Sequence, residues 1–272
     1  MKVERSAILL EAAVAAARVS AEYIRSRETD RAQLEIREKQ AADFVSDVDT
    51  GAETRIREVL DRLVPGSFVV GEEMSPTAST AGETVFVVDP LDGTTNFLHG
   101  FPAYSVSIGA MNDGVIVAGV VLNIPYGDLY TATLGGGAFR NGEAMHVSSI
   151  SKSTRALVGT GFPFKNLEFI ERYAKQFERI TRAQAGVRRA GSAALDLAWV
   201  AAGAFDAFWE LRLAPWDIAA GLLLVREAGG RVTDLEGRDI DPVSGPVVAS
   251  NGLLHDWLLQ CLDGGGGMSE GG

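Results

Sequence analysis

Two aspartates stand three residues apart, directly after an apolar segment. Asp89 and Asp92 follow residues 85–88, Val-Phe-Val-Val, which predict a buried strand. Pro90 lies between them; it has a fixed φ and no backbone N–H, so the chain is expected to leave the sheet there. The pattern therefore predicts two carboxylates close together at the end of one strand.

The residues after Asp92 are suited to an anion. Gly93 permits a sharp turn and the close approach of a ligand, and Thr94 and Thr95 predict the start of a short helix with available N–H groups. Two carboxylates at this place would repel a phosphate. Mg²⁺ removes the conflict because it binds carboxylate and phosphate oxygens together. An Asp-Gly turn in a polar loop is the simpler alternative for this segment.

Further acids follow other predicted elements. Glu72 comes after a short strand at 68–71, so Glu72 and Asp89 would meet at one sheet edge if their strands are neighbours. Asp49 and Asp217 each stand near the start of a predicted helix. Helix capping and first-turn electrostatics are the alternative roles for these two.

The second half of the chain contains residues that could contact the polar groups of a ligand other than its phosphate. Gly191 and Ser192 open an apolar helix whose first N–H groups could meet a polar group. Glu210 lies in a predicted strand at 205–211. Its carboxylate can accept hydrogen bonds from hydroxyl groups and would also suit an ammonium group.

The elements predict an α+β fold. A helix is expected over 4–27, with Ile8, Val14, Val19 and Ile24 among its core-facing residues. Residues 35–44 are read as a hairpin or bent strand, 103–147 as an antiparallel meander, and the second half as alternating strands and helices. These segments predict an N-terminal α+β lobe at 1–150, a C-terminal α/β lobe at 151–262 and a disordered tail at 263–272.

Charge and composition argue against some classes of function. The 272 residues carry 25 Lys and Arg against 36 Asp and Glu, a net charge of −11, which argues against general nucleic-acid binding. Phosphate chemistry would then need metal ions to supply positive charge. Cys261 stands alone, so no intrachain disulfide is expected. No signal peptide or membrane-spanning run is recognised, so the expected location is the cytoplasm without a membrane partner.

Five segments together resemble the inositol monophosphatase family of Mg²⁺-dependent, lithium-sensitive phosphatases. They are Gly71-Glu72-Glu73, Asp89-Pro90-Leu91-Asp92-Gly93-Thr94-Thr95-Asn96, Gly191-Ser192-Ala193-Ala194, Glu210 and Pro215-Trp216-Asp217. The resemblance covers residues 4–262 in order. It implies an αβαβα layered fold, a homodimer, and two to three Mg²⁺ ions per subunit that assist the attack of water on a phosphate monoester.

The resemblance also implies metal ligands. Glu72, Asp89 and the carbonyl of Leu91 would bind one ion. Asp89, Asp92 and Asp217 would bind a second, and Glu72 would help to hold a third, weaker ion. Asp89 would thus be shared by two ions.

Catalytic and substrate roles follow in the same way. Asp49 and Thr94 match the pair that activates water, with Glu72 counted beside them, and Lys39 matches a lysine behind the metal ligands. Gly93 and Thr94 match the phosphate cradle. The remaining substrate contacts implied are Asp92, Gly191, Ser192, Ala193 and Glu210. Ala214 departs from the pattern, since a larger polar or basic residue is expected before Pro-Trp-Asp.

The leading substrate hypothesis is myo-inositol monophosphate. Histidinol phosphate, fructose 1,6-bisphosphate and a nucleotide 3′-phosphate stay open with the same chemistry. Thr95 stands where relatives that cleave adenosine 3′,5′-bisphosphate often carry Lys, which lowers the last option. An alternative of another class is an accessory binding factor of the transcription machinery, a second role that some bacterial members of the family have.

Overall fold

The computed structural model describes residues 2–34, 36–40, 43–75, 84–163, 167–183, 185–240 and 245–263. The elements of the first half are α1 (Lys2–Ser26), β1 (Ile36–Gln40), β2 (Asp43–Ser46), α2 (Asp47–Leu63), β3 (Phe68–Gly71), β4 (Thr84–Asp92), α3 (Thr94–His99), β5 (Ser105–Asn112), β6 (Val115–Asn123), β7 (Asp128–Thr133), β8 (Gly137–Arg140) and β9 (Glu143–Ala144). Those of the second half are β10 (Leu157–Thr160), α4 (Ile170–Arg182), β11 (Gly186–Arg188), α5 (Ala193–Ala201), β12 (Ala207–Leu213), α6 (Pro215–Glu227), β13 (Arg231–Thr233), β14 (Gly245–Ser250) and α7 (His255–Asp263). Short 3₁₀ turns cover Glu28–Gln33, Ser153–Arg155 and Leu167–Phe169.

The strands form two mixed sheets and one small hairpin. The larger sheet has the order β3-β4-β5-β6-β7-β8-β9, in which β3 runs parallel to β4 and every later neighbour is antiparallel. This confirms the predicted meander. The second sheet has the order β11-β10-β12-β14-β13, and β1 pairs with β2 alone.

Side chains on the two faces of the larger sheet pack into two separate hydrophobic cores. On β4, Phe86 and Val88 pack with α1 and α2, whereas Val85 and Val87 pack with α5 and α6. On β12, Phe208 faces the core of α5 and α6, and Trp209 faces the core that α4 and α7 cover. The resulting layers are helices, sheet, helices, sheet and helices, which confirms the predicted αβαβα arrangement.

The buried face of α1 differs from the prediction. Ile8 is 53% exposed and Val19 is 39% exposed, while Ile24 is buried. The face that packs on the sheet and α2 is formed mainly by alanines at helical spacing, together with Leu9: Ala12, Ala13, Ala16, Ala17 and Ala21. Alanine lets a helix approach its neighbours closely, so packing distance rather than side-chain size determined which face is buried.

The prediction that the chain leaves the sheet at Pro90 is wrong. β4 continues to Asp92, with Asp89 opposite Ser107 and Asp92 opposite Ser105. Three steps along β4 match two steps along β5, which is a bulge with one extra residue. A bulge accommodates proline because it interrupts the ladder where the N–H is missing.

The division into lobes at 1–150 and 151–262 stays a prediction. One core cluster contains residues from both sheets, including Val85 of β4 and Phe208 of β12. The predicted tail at 263–272 lies outside the described residues except for Asp263. None of the helices in the described ranges has the length and apolar character needed to cross a bilayer.

Candidate active site

Acids from distant parts of the chain line one cavity of about 680 Å³. The predicted site residues on its wall are Glu72, Asp89, Leu91, Asp92, Gly93, Thr94, Gly191, Ser192, Ala193, Glu210 and Asp217. The fold thus brings together every predicted metal ligand and every predicted substrate contact. Lys39 lies in β1, and its side chain is outside the described part of the structure.

The parallel pairing of β3 and β4 places Glu72 beside Asp89. Gly71 lies opposite Val88, and the N–H of Glu72 donates to the carbonyl of Val88 at 3.2 Å. Parallel strands end at the same edge of a sheet, so the residues that follow them come together there. The expectation that these two strands are neighbours is confirmed.

The bulge in β4 sets the directions of Asp89 and Asp92. Asp89 Oδ1 accepts from the N–H of Leu91 at 3.0 Å. Asp92 Oδ2 accepts from Ser192 Oγ at 2.6 Å and from the N–H of Ala194 at 2.8 Å. Asp92 is therefore held by the first turn of α5, so it joins the end of the larger sheet to the second half of the chain.

Asp217 lies at the start of a helix, as the first-turn alternative supposed, and also on the cavity wall. It lies in the first turn of α6, and its Oδ2 accepts from the N–H of Ala214 at 2.6 Å. This bond satisfies a helix N-terminus and fixes the carboxylate on the cavity wall. Capping is thus the means by which Asp217 is positioned.

The electrostatics of the cavity favour a cation. Asp89 is 2% exposed, and its burial raises its pKa well above the ordinary value. The negative charges of Glu72, Asp92 and Asp217 raise the pKa of Asp89 further, while the N–H of Leu91 opposes them. Hard carboxylate oxygens in such a cluster fit a divalent cation such as Mg²⁺, which would relieve their repulsion.

The acids share the cavity without forming a closed cluster. Within the described residues, no group of three or more His, Cys, Asp or Glu side chains is already arranged to hold an ion. Side chains on the wall would have to converge further to coordinate one. Their donor chemistry fits magnesium.

Asp49 and Thr94 form the predicted pair. Thr94 Oγ donates to Asp49 Oδ1 at 2.7 Å, while Asp49 Oδ2 accepts from the N–H of Ser46 at 2.8 Å and from Ser46 Oγ at 2.6 Å. The N-cap of α2 is Ser46, and Asp49 is the third residue of the helix and closes the capping box, so the capping alternative named the wrong residue. Burial raises the pKa of Asp49, against the hydrogen bonds from Ser46 and Thr94.

The turn between β4 and α3 requires glycine. Gly93 has φ of 93°, and a Cβ there would lie 2.8 Å from the carbonyl oxygen of Ala103. α3 begins at Thr94, as predicted. Asn96, whose role the sequence reasoning missed, donates from Nδ2 to the carbonyls of Ala103 at 2.6 Å and Ala190 at 2.9 Å. It ties α3 to the segment that precedes Gly191.

Asp196 is a cavity residue that the sequence reasoning also missed. It is 1% exposed, and its Oδ1 has no hydrogen-bond partner. Burial raises the pKa of Asp196 well above its ordinary value; Glu210 and Asp92 add to this effect, and Arg189 opposes it. A lone acid within the apolar sequence of α5 was the available signal.

Fold and cavity together define an α+β layered protein with a carboxylate-rich cavity whose donor groups suit a divalent cation. A model of the inositol monophosphatase family matches residues 7–264, and the chain belongs to that family. The family's members are phosphatases and are generally metal-dependent. Membership therefore supports phosphatase chemistry for this chain without naming its substrate.

Individual relatives carry two kinds of name. The inositol-1-monophosphatase of Caulobacter vibrioides is 42% identical over 233 residues, which cover 85% of this chain and 91% of that protein. The Nus factor SuhB of Pseudomonas aeruginosa is 42% identical over 259 residues, covering 93% and 95%. The crystal structure of the extragenic suppressor protein suhB from Bartonella henselae superposes with a TM-score of 0.87 at 37% identity, covering 94% and 99%.

Proposed function

We propose that the protein hydrolyses a small polyol phosphate monoester, with myo-inositol monophosphate as the first candidate. The observation that supports this most directly is a hydrogen bond to the buried Asp49 from Thr94, which lies on the wall of a cavity rich in carboxylates. The relative from Caulobacter vibrioides with the name inositol-1-monophosphatase supports the choice of substrate.

Five groups would hold magnesium: the side chains of Glu72, Asp89, Asp92 and Asp217 and the carbonyl of Leu91. Bound magnesium would offset the negative charge of the phosphate, lower the pKa of a water and stabilise the leaving oxygen. We expect two to three ions per subunit on the family resemblance. The bonds from Leu91, Ser192, Ala194 and Ala214 keep the aspartates oriented before any ion arrives.

Thr94 and Asp49 would handle the proton of the attacking water. A hydroxyl has one proton, and Thr94 Oγ lies 2.7 Å from Asp49 Oδ1 and 3.1 Å from the carbonyl of Leu91. The shorter distance and the charge favour donation to Asp49, which leaves the Thr94 oxygen as an acceptor. Water can then pass a proton to Thr94 while the Thr94 proton moves to Asp49. Burial raises the pKa of Asp49, which makes its carboxylate a stronger base than an ordinary aspartate.

The part of the cavity wall formed by Glu210 and Ala193 would hold the polyol. Glu210 can accept hydrogen bonds from hydroxyl groups, and the small side chain of Ala193 leaves room for a ring. Gly93 and Thr94 would supply N–H groups to the phosphate, and Gly191 lies close by, since a Cβ on Gly93 would stand 3.3 Å from its carbonyl oxygen. Ser192 lines the same part of the cavity. The same acidic wall would accept an ammonium group, so histidinol phosphate is the strongest competing substrate.

The test is a panel of phosphate esters, assayed for phosphate release with magnesium and with a chelator. The panel contains myo-inositol monophosphate, histidinol phosphate, fructose 1,6-bisphosphate and a nucleotide 3′-phosphate. We expect the highest kcat/KM for inositol monophosphate and no turnover with chelator. Inositol monophosphate in last place would overturn the substrate, and magnesium-independent turnover would overturn the site.

A second candidate function comes from the relative named Nus factor SuhB. By that likeness, the chain would act as an accessory factor of the transcription machinery. The net charge of −11 and the complete set of catalytic acids give this role no further support. Co-purification of the Asp89→Asn variant with RNA polymerase would favour this role. Wild-type protein that does not co-purify with RNA polymerase would refute it.

The proposed assembly is a homodimer in the cytoplasm. Light scattering coupled to gel filtration tests the first part: a mass near twice 28.9 kDa is expected, and a monomer mass would refute it.

A further inference from the structure

The turn that carries Glu72 is held from behind by a buried glutamate of α2. Glu53 is 0% exposed, and its Oε2 accepts from the N–H of Glu73 at 2.8 Å and from the N–H of Met74 at 3.2 Å. Both donors follow Glu72 directly in the chain. A carboxylate that accepts backbone N–H groups makes strong hydrogen bonds, so Glu53 fixes the backbone immediately after Glu72.

Arg57 connects this carboxylate to both ends of the turn. Its Nε and Nη2 donate to Glu53 Oε1 at 2.9 and 2.7 Å. Nη2 also lies 3.2 Å from the carbonyl of Val69 in β3 and 2.5 Å from Ser75 Oγ beyond the turn. The buried charge of Glu53 is therefore balanced, and the guanidinium joins the strand before Glu72 to the residue after Met74.

Ser75 and Gly71 complete the enclosure. Ser75 Oγ donates to the carbonyl of Val69 at 2.9 Å and accepts from the N–H of Gly71 at 3.1 Å. A Cβ on Gly71 would lie 2.2 Å from Glu53 Oε1, so only glycine lets the carboxylate approach the backbone this closely. The residues immediately before and after Glu72 in the chain are thus both held by hydrogen bonds that involve Glu53, Arg57 and Ser75.

We propose that Glu53, together with Arg57, is a positioning residue that fixes Glu72 at the cavity edge and thereby sets the affinity for magnesium. The inference rests on the proposed function, because it requires Glu72 to bind magnesium. Glu53 lies behind the turn and is not among the residues that line the cavity. Groups that orient a metal ligand commonly change metal affinity by about 10- to 100-fold when they are replaced.

The test replaces the charge and keeps the shape. In Glu53→Gln one oxygen becomes an NH₂ group, which faces either the backbone N–H groups or the Arg57 guanidinium. It can accept a hydrogen bond from neither, so the turn loosens. We expect the Kd for Mg²⁺, measured by calorimetry without substrate, to rise at least ~10-fold, while kcat at saturating Mg²⁺ stays within ~3-fold of wild type. The matched control is Glu58→Gln, the same change at an exposed position of the same helix, which is expected to leave both values unchanged.

A double-mutant cycle separates positioning from general destabilisation. If Glu53 acts through Glu72, adding Glu53→Gln to Glu72→Gln changes Mg²⁺ affinity no further, whereas independent effects would add. Additivity overturns the proposal, as does a folded Glu53→Gln variant with the wild-type Mg²⁺ Kd or with a loss confined to kcat.

Ser75→Ala covers the case in which Glu53→Gln does not fold. It removes one hydroxyl of the enclosure, and we expect a rise in the Mg²⁺ Kd of about 2- to 5-fold, with a wild-type Kd overturning the proposal. Wild-type protein that binds Mg²⁺ but releases no phosphate from any ester would instead refute the proposed function, and the affinity comparison among variants would still decide the role of Glu53.

Discussion

Asp49→Asn separates a capping function from a catalytic one, because Asp49 performs both through different oxygens. Oδ2 accepts two bonds from Ser46, and Oδ1 accepts the bond from Thr94. Asparagine can keep an oxygen towards Ser46, but it then presents NH₂ to the Thr94 hydroxyl. The hydroxyl can no longer donate at that contact, and the proton acceptor is lost.

The two losses have different sizes. Replacing a charged acceptor by a neutral one in a helix cap should lower the free energy of unfolding by about 1–2 kcal/mol. Loss of a general base should lower kcat by about 10²- to 10⁴-fold, which corresponds to about 3–5 kcal/mol of activation free energy. Activity should therefore fall far more than stability.

Ser46→Ala is the matched control. It removes the hydroxyl that bonds both Asp49 Oδ2 and the N–H of Val48, and it leaves the contact with Thr94 in place. We expect a loss of about 1 kcal/mol of unfolding free energy with kcat within ~5-fold of wild type. Equal losses of kcat in Ser46→Ala and Asp49→Asn would mean that the cap alone matters.

Thr94→Val completes the series, because it keeps the side-chain shape and removes the hydroxyl. We expect its kcat to fall as in Asp49→Asn and the double variant to be no worse than either, since residues that act as one unit are not additive. The measurements are phosphate release at saturating Mg²⁺ and urea denaturation. An Asp49→Asn enzyme that retains more than about one tenth of wild-type kcat would refute the relay.

Three further outcomes follow from other buried groups. Asp89→Asn should lower phosphate release at saturating Mg²⁺ by at least ~100-fold, because it removes a negative charge that two bound ions would share; near-native turnover would refute that role. Burial lowers the pKa of His255 to about 4, between Thr233 and Ser250 at 2.9 Å each. Its contribution to stability is complete above the unfolded pKa of about 6.5, and denaturation should show a loss of about 2 kcal/mol between about pH 7.5 and 5 that is absent in His255→Asn. Asp196 has a raised folded pKa, so its contribution is lost as pH rises, and Asp196→Asn should gain stability relative to wild type in urea melts towards alkaline pH; a constant difference would contradict this.

Local pattern was sufficient for much of the site. The strand before Asp89, the positive φ of Gly93 and the start of α3 follow from residue types within a few positions of each other. Their chemistry depends on spacing along the chain, which a sequence displays directly. Glu72 and Asp217 were located in the same way, at the end of a strand and the start of a helix, but their assignment as metal ligands came from the family resemblance.

Long-range pairing accounts for the errors. The bulge at Pro90 exists because β5 continues the ladder with Ser105, which no residue near Pro90 reveals. The exposure of Ile8 reflects how closely α1 approaches the sheet. Glu53 did stand four residues from both Asp49 and Arg57, on one helical face, but its partners at Glu73 and Met74 are joined to it only in the folded chain.

The most direct test is a crystal structure of the wild-type protein grown with Mn²⁺ in place of Mg²⁺, with an anomalous difference map. We expect at least two anomalous peaks in the cavity, one of them shared by Asp89 and its neighbours Asp92 and Asp217 and another between Asp89 and Glu72, at about 2.0–2.4 Å from carboxylate oxygens. If the crystallised protein releases phosphate with Mn²⁺ but its cavity shows no anomalous peak, the account is contradicted.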